Sequence, residues 1–86
     1  MELKKKKEIR KLFGDYLKKR RLEYLKIDSV RQLSFHSNLD SSKLTKIEKG
    51  QINITFDTLI ELAVTYELKP KQLFDFLIPF WKEDGE

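Results

Sequence analysis

The sequence contains no cysteine and only one histidine, His36. Disulfides, thiolate nucleophiles and cysteine-ligated zinc are therefore impossible, and one imidazole is too few for a conventional zinc centre. Glu48 has no base, nucleophile or metal partner that would make it a catalytic carboxylate, so we interpret it as part of the scaffold. We predict that the protein is not an enzyme and that it needs no cofactor or metal.

Long apolar runs are also missing. No stretch approaches the length of a membrane span, and no apolar run of signal-peptide length follows the basic first residues. The sequence also lacks strand-like alternation, internal repeats and low-complexity linkers. At 86 residues, of which 40% are hydrophobic, the chain suits one small domain with a modest core. We expect a single domain over residues 1–86 and a cytoplasmic location.

The charges are distributed unevenly along the chain. Residues 1–50 hold 15 lysines and arginines against 7 acidic residues, whereas residues 51–86 hold 3 against 7. The basic half would attract a polyanion, and the acidic half would not. Nucleic acid is the first candidate partner and an anionic membrane surface the second. Because the aromatic residues do not interleave with the basic ones, single-stranded RNA is disfavoured.

The N-terminal part of the chain has helical periodicity. Apolar residues recur at helical spacing from Ile9, which predicts a first helix that ends near Leu25. A basic extension, residues 1–11, precedes and overlaps this pattern and contains Lys4–Lys7. Two interpretations of these lysines stay open, namely an arm that touches the phosphate backbone of a nucleic acid and a solvated, partly frayed helix start.

Two more helices are predicted in the C-terminal part. Thr55 is a suitable cap for a fourth helix over Phe56–Tyr66, and Pro70 suits the first turn of a fifth helix that reaches Leu77. An aromatic and acidic tail, residues 78–86, follows.

Two short helices are predicted between these segments. Ser29 is a natural cap for a second helix that runs to about His36, and Asp40 caps a third helix that Gly50 ends. In the tight turn between them, we expect Asn38 to adopt a left-handed backbone conformation, which asparagine tolerates well. Two short helices joined by a tight turn, the second with an outward polar side, describe a helix-turn-helix.

The residues of this motif resemble, without gaps, the helix-turn-helix of the XRE family, which is the Cro and phage-repressor type. They are Ser29, Leu33, Ser34, Asn38, Leu39, Leu44 and the ending Ile47–Gly50. The family has a small residue where Ser34 stands, glycine where Asn38 stands, and Ile-Glu-Arg/Lys-Gly at the ending. The resemblance extends over about residues 12–77. It implies an all-α, five-helix fold of the lambda-repressor type, in which the second and third helices form the motif.

The resemblance also implies that the third helix reads bases in the major groove. Ser41, Ser42 and Lys46 match the base-reading positions, and Lys46 is the strongest candidate because a lysine can donate to guanine O6 and N7. The amides that open the second helix and those of the loop after Gly50 resemble phosphate-binding groups. The predicted DNA contacts are Ser29, Val30, Arg31, Ser41, Ser42, Lys43, Thr45, Lys46, Lys49 and Asn53.

The sequence departs from the family pattern in two places. Val30 stands where the family commonly has glutamine, so one hydrogen-bonding side chain is missing. The connection between the first and second helices is also longer than usual. The family's buried arginine–glutamate pair would here join Arg21 to Glu48, with Arg20 as the alternative partner.

The C-terminal apolar cluster is larger than one face of a last helix needs. Two uses stay open, namely packing within the chain and a twofold dimer interface. The residues predicted for the dimer interface are Phe74, Phe76, Leu77, Phe80 and Trp81. A dimer would place two recognition helices about 34 Å apart and would match a palindromic site.

We therefore predict a homodimeric transcription regulator that binds double-stranded DNA at a palindromic operator and lies with the nucleoid of a prokaryotic cell. The expected settings are restriction-modification control, phage or mobile-element switches, and antitoxins. The alternative from another class is an antitoxin or adaptor-type protein-interaction module with the same fold. A plain three-helix core element without DNA-binding activity is the less favoured alternative for the motif, and membrane binding is not expected.

Overall fold

The computed structural model describes residues 1–82 of the chain, and all of its regular elements in this range are helical. The four α-helices are α1, Leu3–Lys19; α2, Val30–Ser34; α3, Ser41–Glu48; and α4, Phe56–Thr65. A π-helical turn, Arg20–Tyr24, continues α1, and a 3-10 turn, Pro70–Gln72, follows α4. The predicted all-α class and the helix-turn-helix, formed by α2 and α3, are confirmed. The acidic end of the predicted tail, residues 83–86, lies outside the described residues.

The helix starts follow from local capping chemistry. The side chains of Ser29, Asp40 and Thr55 each accept a hydrogen bond from the backbone amide three residues later, at 3.1, 2.7 and 3.2 Å. Each bond satisfies one of the free amides in the first turn of its helix. Gly50 ends α3 with a φ of 69°, a left-handed conformation that glycine adopts without steric cost.

The turn between α2 and α3 does not use a left-handed residue. Among residues 1–82, positive φ values occur at Lys26, Glu67 and Gly50, so the prediction for Asn38 was wrong. The side-chain amide of Asn38 instead donates to Glu61 Oε2 of α4 at 2.9 Å. A contact to another helix therefore stabilises this turn.

The predicted fifth helix is reduced to the single 3-10 turn Pro70–Gln72. Beyond this turn, Phe74 and Phe76 both pack on Phe13 of α1, with 5.9 Å between ring centroids in each case. Residues two apart point in very different directions on an α-helix but lie on the same side of an extended chain. The shared target on α1 therefore requires a non-helical segment here.

The core lies where α1, the helix-turn-helix and α4 meet. Its buried apolar residues are Phe13, Leu17, Leu33, Leu39, Leu44, Ile47, Leu62, Tyr66 and Leu68. Each of α1 to α4 contributes to this set, so the orientation of the short helices α2 and α3 depends on tertiary packing. None of the helices within residues 1–82 has both the length and the apolar character needed to cross a membrane.

A buried polar cluster joins the end of α1 to α3 and α4. Arg21 donates from Nε and Nη2 to the two carboxylate oxygens of Glu48, each at 2.9 Å, and Tyr66 donates to Glu48 Oε2 at 2.6 Å. All three residues are buried. The hydrogen bonds to Glu48 raise the pKa of Arg21, whereas burial and then its hydrogen bond to Glu48 raise the pKa of Tyr66. Arg21 Nη1 also donates to the carbonyls of Ile27 and Asp28.

The neighbouring arginine has a different target. Arg20 donates from Nε to the Tyr66 carbonyl at 3.0 Å and from Nη2 to the Glu67 carbonyl at 2.5 Å. Its guanidinium also lies over the ring of Tyr24, 3.6 Å from the centroid. Arg20 therefore satisfies carbonyls at the C-terminal end of α4, where a cation is also favoured by the helix dipole. Of the two arginines that the sequence left open, Arg21 is the one that pairs with Glu48.

Two glycines bring the main chains of α1 and α3 into direct contact. A Cβ atom on Gly14 would meet the carbonyl oxygen of Glu48 and would lie 2.6 Å from that of Ile47. A Cβ atom on Gly50 would lie 2.6 Å from the Cα of Lys11. Because the obstructing atoms belong to the backbone, they cannot rotate away. The position of α3 against α1 is therefore set by main-chain packing.

We predict that Gly14→Ala destabilises the protein although alanine is the better helix former. Alanine at an uncrowded helix position would stabilise by about 1 kcal/mol. Here the new methyl group must displace the α3 backbone, and overpacking of this kind costs about 1–3 kcal/mol. Urea unfolding followed by circular dichroism measures the change, with Lys19→Ala on the exposed side of α1 as the control. A Gly14→Ala protein that is more stable than the parent would contradict this account of the crossing.

A second prediction compares the buried ion pair with an exposed one. Glu48→Ala leaves the guanidinium of Arg21 buried without an anion, which we expect to cost about 3–5 kcal/mol of unfolding free energy. Asp15→Ala breaks the exposed Lys11–Asp15 pair of 2.7 Å and should cost less than about 1 kcal/mol. Combining Glu48→Ala with Arg21→Met should restore part of the loss. Equal losses for Glu48→Ala and Asp15→Ala would show that the buried pair has no special structural role.

Candidate nucleic-acid interface

The helix α3 has one buried side and one exposed side. Its buried residues are Leu44, Ile47 and Glu48. The exposed residues on α3 and its C-cap are Ser42, Lys43, Lys46 and Lys49. A helix that is anchored on one side and carries three lysines on the other can approach a polyanion without rearrangement of the core.

Three of the exposed residues lie on one line along α3. Ser42, Lys46 and Lys49 are separated by four and three residues, so they share a helix face. Their side chains make no hydrogen bond or ion pair within residues 1–82. Lys43 points elsewhere, because its Nζ lies 3.4 Å from Thr58 Oγ1 of α4. The line of Ser42, Lys46 and Lys49, here called the recognition line, is therefore the part of α3 that is available to a partner.

Two other predicted base-reading residues are less accessible. Ser41 and Thr45 are half-buried, and the hydroxyl of Thr45 donates to the carbonyl of Ser41 at 2.8 Å. A hydroxyl that is already bonded to its own helix has less capacity to read a base. Ser41 and Thr45 therefore do not belong to the recognition line, although they lie on the same helix.

The residues outside α3 that were predicted to contact DNA differ in their exposure and location. Ser29 and Val30 are half-buried, and the Ser29 hydroxyl is used as a cap. Val30 packs against the core, which accounts for an apolar residue where the XRE pattern has glutamine. Arg31 is exposed and lines a groove together with Ser41 at the start of α3. Asn53 is exposed in the loop before α4.

A cleft between α1 and α3 was not predicted from the sequence. It measures about 450 Å³, and its polar lining includes Lys11, Asp15, Lys18, Thr45, Lys49 and Gln51. We call it the α1–α3 cleft. Lys11 and Lys18 are seven residues apart and so lie on one side of α1, which is a signal that the sequence already contained. Their position beside α3 depends on the Gly14 crossing and could not be inferred from that spacing.

The exposed side of α3 offers hydrogen-bond donors and positive charge. Hydroxyl and ammonium groups match the acceptors on purine edges and the phosphates of a duplex. Within residues 1–82, no three His, Cys, Asp or Glu side chains lie together in a way that could hold a metal ion. The chemistry that this surface supports is therefore recognition of an anionic, acceptor-rich partner.

The residues predicted for a dimer interface divide into two groups. Phe74, Leu77 and Trp81 are exposed, with 59%, 79% and 56% of their surface accessible. Phe76 and Phe80 are half-buried, and Phe76 packs on Tyr16 with 5.3 Å between ring centroids. Part of the cluster therefore packs within the chain and part remains on the surface, so both uses left open by the sequence have residues available to them.

A second exposed apolar row lies on α4. Phe56, Ile60 and Val64 recur every four residues and are 74%, 49% and 69% accessible. This outward row was not predicted from the sequence. A groove lined by both Phe56 and Phe74 connects the row to the C-terminal cluster. The row on α4 (Phe56, Ile60 and Val64) and the exposed residues of the C-terminal cluster (Phe74, Leu77 and Trp81) form one continuous surface. It is here called the α4 apolar surface.

Comparison with known proteins agrees with the helix-turn-helix architecture. No protein-family model matches the chain. The control protein C.BamHI of Bacillus amyloliquefaciens is 31% identical over 68 residues, which cover 79% of this chain and 83% of that protein. The crystal structure of the restriction-modification controller protein C.AhdI from Aeromonas hydrophila matches with a TM-score of 0.67 at 31% identity, over 79% of this chain and 96% of the other. Since the similarity to both spans most of each protein, this chain belongs to the restriction-modification controller proteins.

Proposed function

We propose that this protein is a transcription regulator of the XRE type that binds double-stranded DNA by inserting α3 into the major groove. The observation that carries the proposal is the recognition line, Ser42, Lys46 and Lys49, which is exposed on a helix whose other side is held in the core. The major groove is wide enough for an α-helix and presents a different donor and acceptor pattern for each base pair. A rigid helix with free donors is suited to reading that pattern.

The proposed contacts differ in their roles. Lys46, at the centre of the recognition line, donates to guanine O6 and N7, and Ser42 contributes a weaker contact to a neighbouring base. Arg31, Lys49 and the loop at Asn53 contact phosphates and orient the protein on the duplex. The backbone amides at Ser29 and Val30, together with Ser41, Lys43 and Thr45, complete the proposed interface at its edges.

We also propose that the protein acts as a homodimer on a palindromic operator. The α4 apolar surface supports this, because exposed apolar patches of this kind on a small protein commonly mark association sites. A twofold axis through this surface would give two copies of α3, which then read two inverted half-sites about 34 Å apart. The relatives are a control protein and a restriction-modification controller protein. We extend that role to this chain and propose that it regulates the genes of a restriction-modification system in the cytoplasm, at the nucleoid.

The third prediction tests whether the protein recognises a particular base sequence in duplex DNA. Selection of bound sites from random duplex DNA at near-physiological salt should enrich an inverted repeat. On the selected duplex, Lys46→Ala should weaken binding by about 1–3 kcal/mol, which is roughly 5- to 150-fold, and should relax the preference at one position in each half-site. Fluorescence anisotropy with the matched and mutated duplexes measures both effects.

Lys71→Ala provides the matched control, because Lys71 is also an exposed lysine and lies in the 3-10 turn after α4. It should change affinity by less than a factor of about 2, since exposed charges far from the interface are largely screened. If no motif is enriched, or if Lys46→Ala and Lys71→Ala behave alike, the protein does not read bases through α3. An adaptor that grips a protein partner would then be the better interpretation of the fold.

The fourth prediction tests the dimer. Ile60→Asp places a charge in the centre of the α4 row and should shift the protein to monomer, because burial of an unpaired carboxylate in an apolar interface is strongly unfavourable. Sedimentation equilibrium measures the change. Phe35→Asp is the matched control, since Phe35 is an exposed phenylalanine, 72% accessible, next to the α2–α3 turn. A dimer that survives Ile60→Asp and is lost with Phe35→Asp would place the interface elsewhere.

A further inference from the structure

We propose that the α1–α3 cleft binds a phosphate of the DNA backbone and that a row of lysines on α1 extends this contact along the flanking duplex. The inference rests on the proposed DNA-binding function and adds a second contact surface to it, made by the first helix. The row consists of Lys4, Lys7, Lys11 and Lys18 and is here called the lysine row.

The lysine row lies on one side of α1. At 100° per residue, its four members fall within an arc of about 60°, and over a rise of 1.5 Å per residue they span roughly 21 Å of helix. All four side chains are exposed. The helix begins at Leu3, so Lys4 and Lys7 belong to the same continuous α-helix as Lys11. The first turns of α1 therefore present a fixed line of ammonium groups.

The row is next to the recognition side of α3. Lys11 and Lys18 line the α1–α3 cleft together with Lys49, the last member of the recognition line, and with Gln51. Three ammonium groups and a side-chain amide thus line one open space, together with Asp15 and the buried Arg21–Glu48 pair. Phosphate oxygens accept hydrogen bonds from ammonium and amide groups, and most protein contacts to DNA are to the backbone. A duplex whose groove receives α3 would pass its backbone along this side of the molecule.

Two acidic residues line the cleft, Asp15 and Glu48. Glu48 is buried and paired with Arg21, so Asp15 is the carboxylate that opposes anion binding. Asp15 accepts a hydrogen bond from Lys11 Nζ at 2.7 Å, and both side chains are more than half exposed. A phosphate in the cleft would compete with Asp15 for this ammonium group and would be repelled by the carboxylate. Asp15 therefore limits the strength of the contact, and removal of its charge should strengthen DNA binding.

The experiment compares two double variants of α1 on the duplex selected for this protein. Lys11→Gln with Lys18→Gln removes two charges from the lysine row. Lys6→Gln with Lys19→Gln removes two exposed charges from other sides of the same helix. The logarithm of the binding constant is measured against the logarithm of the salt concentration, whose slope changes by about 0.9 for each phosphate contact. We expect the slope to become shallower by about 2 in the first variant and by less than about 0.5 in the control.

Asp15→Asn supplies an independent readout in the opposite direction. It should tighten binding by about 3- to 10-fold at low salt, and the gain should shrink as salt screens the charge. Equal slopes in the two double variants, or weaker or unchanged binding by Asp15→Asn, would overturn the cleft contact while α3 still reads bases. A parent protein that retains no duplex at all would instead overturn the proposed function itself. Circular dichroism of each variant establishes that the helices are intact.

Discussion

The carboxylate of Glu48 is the group on which three parts of the molecule converge. Arg21 reaches it from the π-helical turn after α1, and Tyr66 reaches it from the end of α4. A buried carboxylate is costly to desolvate, and it is tolerated when its oxygens are hydrogen-bonded to a cation and to other donors. Among residues 1–82, no buried side-chain polar atom lacks a hydrogen-bond partner. The value of such a cluster lies in geometry, because its directional bonds fix how α3 sits against α1 and α4.

Features that depend on neighbouring residues in the chain could be predicted from the sequence. The caps Ser29, Asp40 and Thr55 and the terminator Gly50 act over one helical turn, and the structure contains all of them. The exposed side of α3 follows from the helical period once Leu44 and Ile47 are placed in the core. For the same reason the helix-turn-helix and its outward lysines could be predicted from the sequence.

Features that depend on tertiary contact could not be predicted in this way. The spacing of Phe74 and Phe76 fits more than one backbone conformation, and the packing of both rings on Phe13 goes with a segment that is not helical. Asn38 satisfies its side chain on α4, so the local preference for a left-handed turn did not decide its conformation. The apolar residues of α4 serve both the core and the surface, and the division between the two is visible only when the neighbouring elements are in place.

The glycine contacts that hold α3 against α1 lie on a different side of α3 from its exposed polar residues. At Gly14 and Gly50 the two segments meet main chain to main chain, so their closest approach at these two points involves no side chain. Ser42 and Lys46 lie on the opposite, exposed side and take no part in that contact. If α3 reads bases as proposed, exchange of these two residues would change the preferred base sequence and leave the packing of the helix against α1 intact. Under the same proposal, a change of target would need only a few outward positions and no change in this crossing.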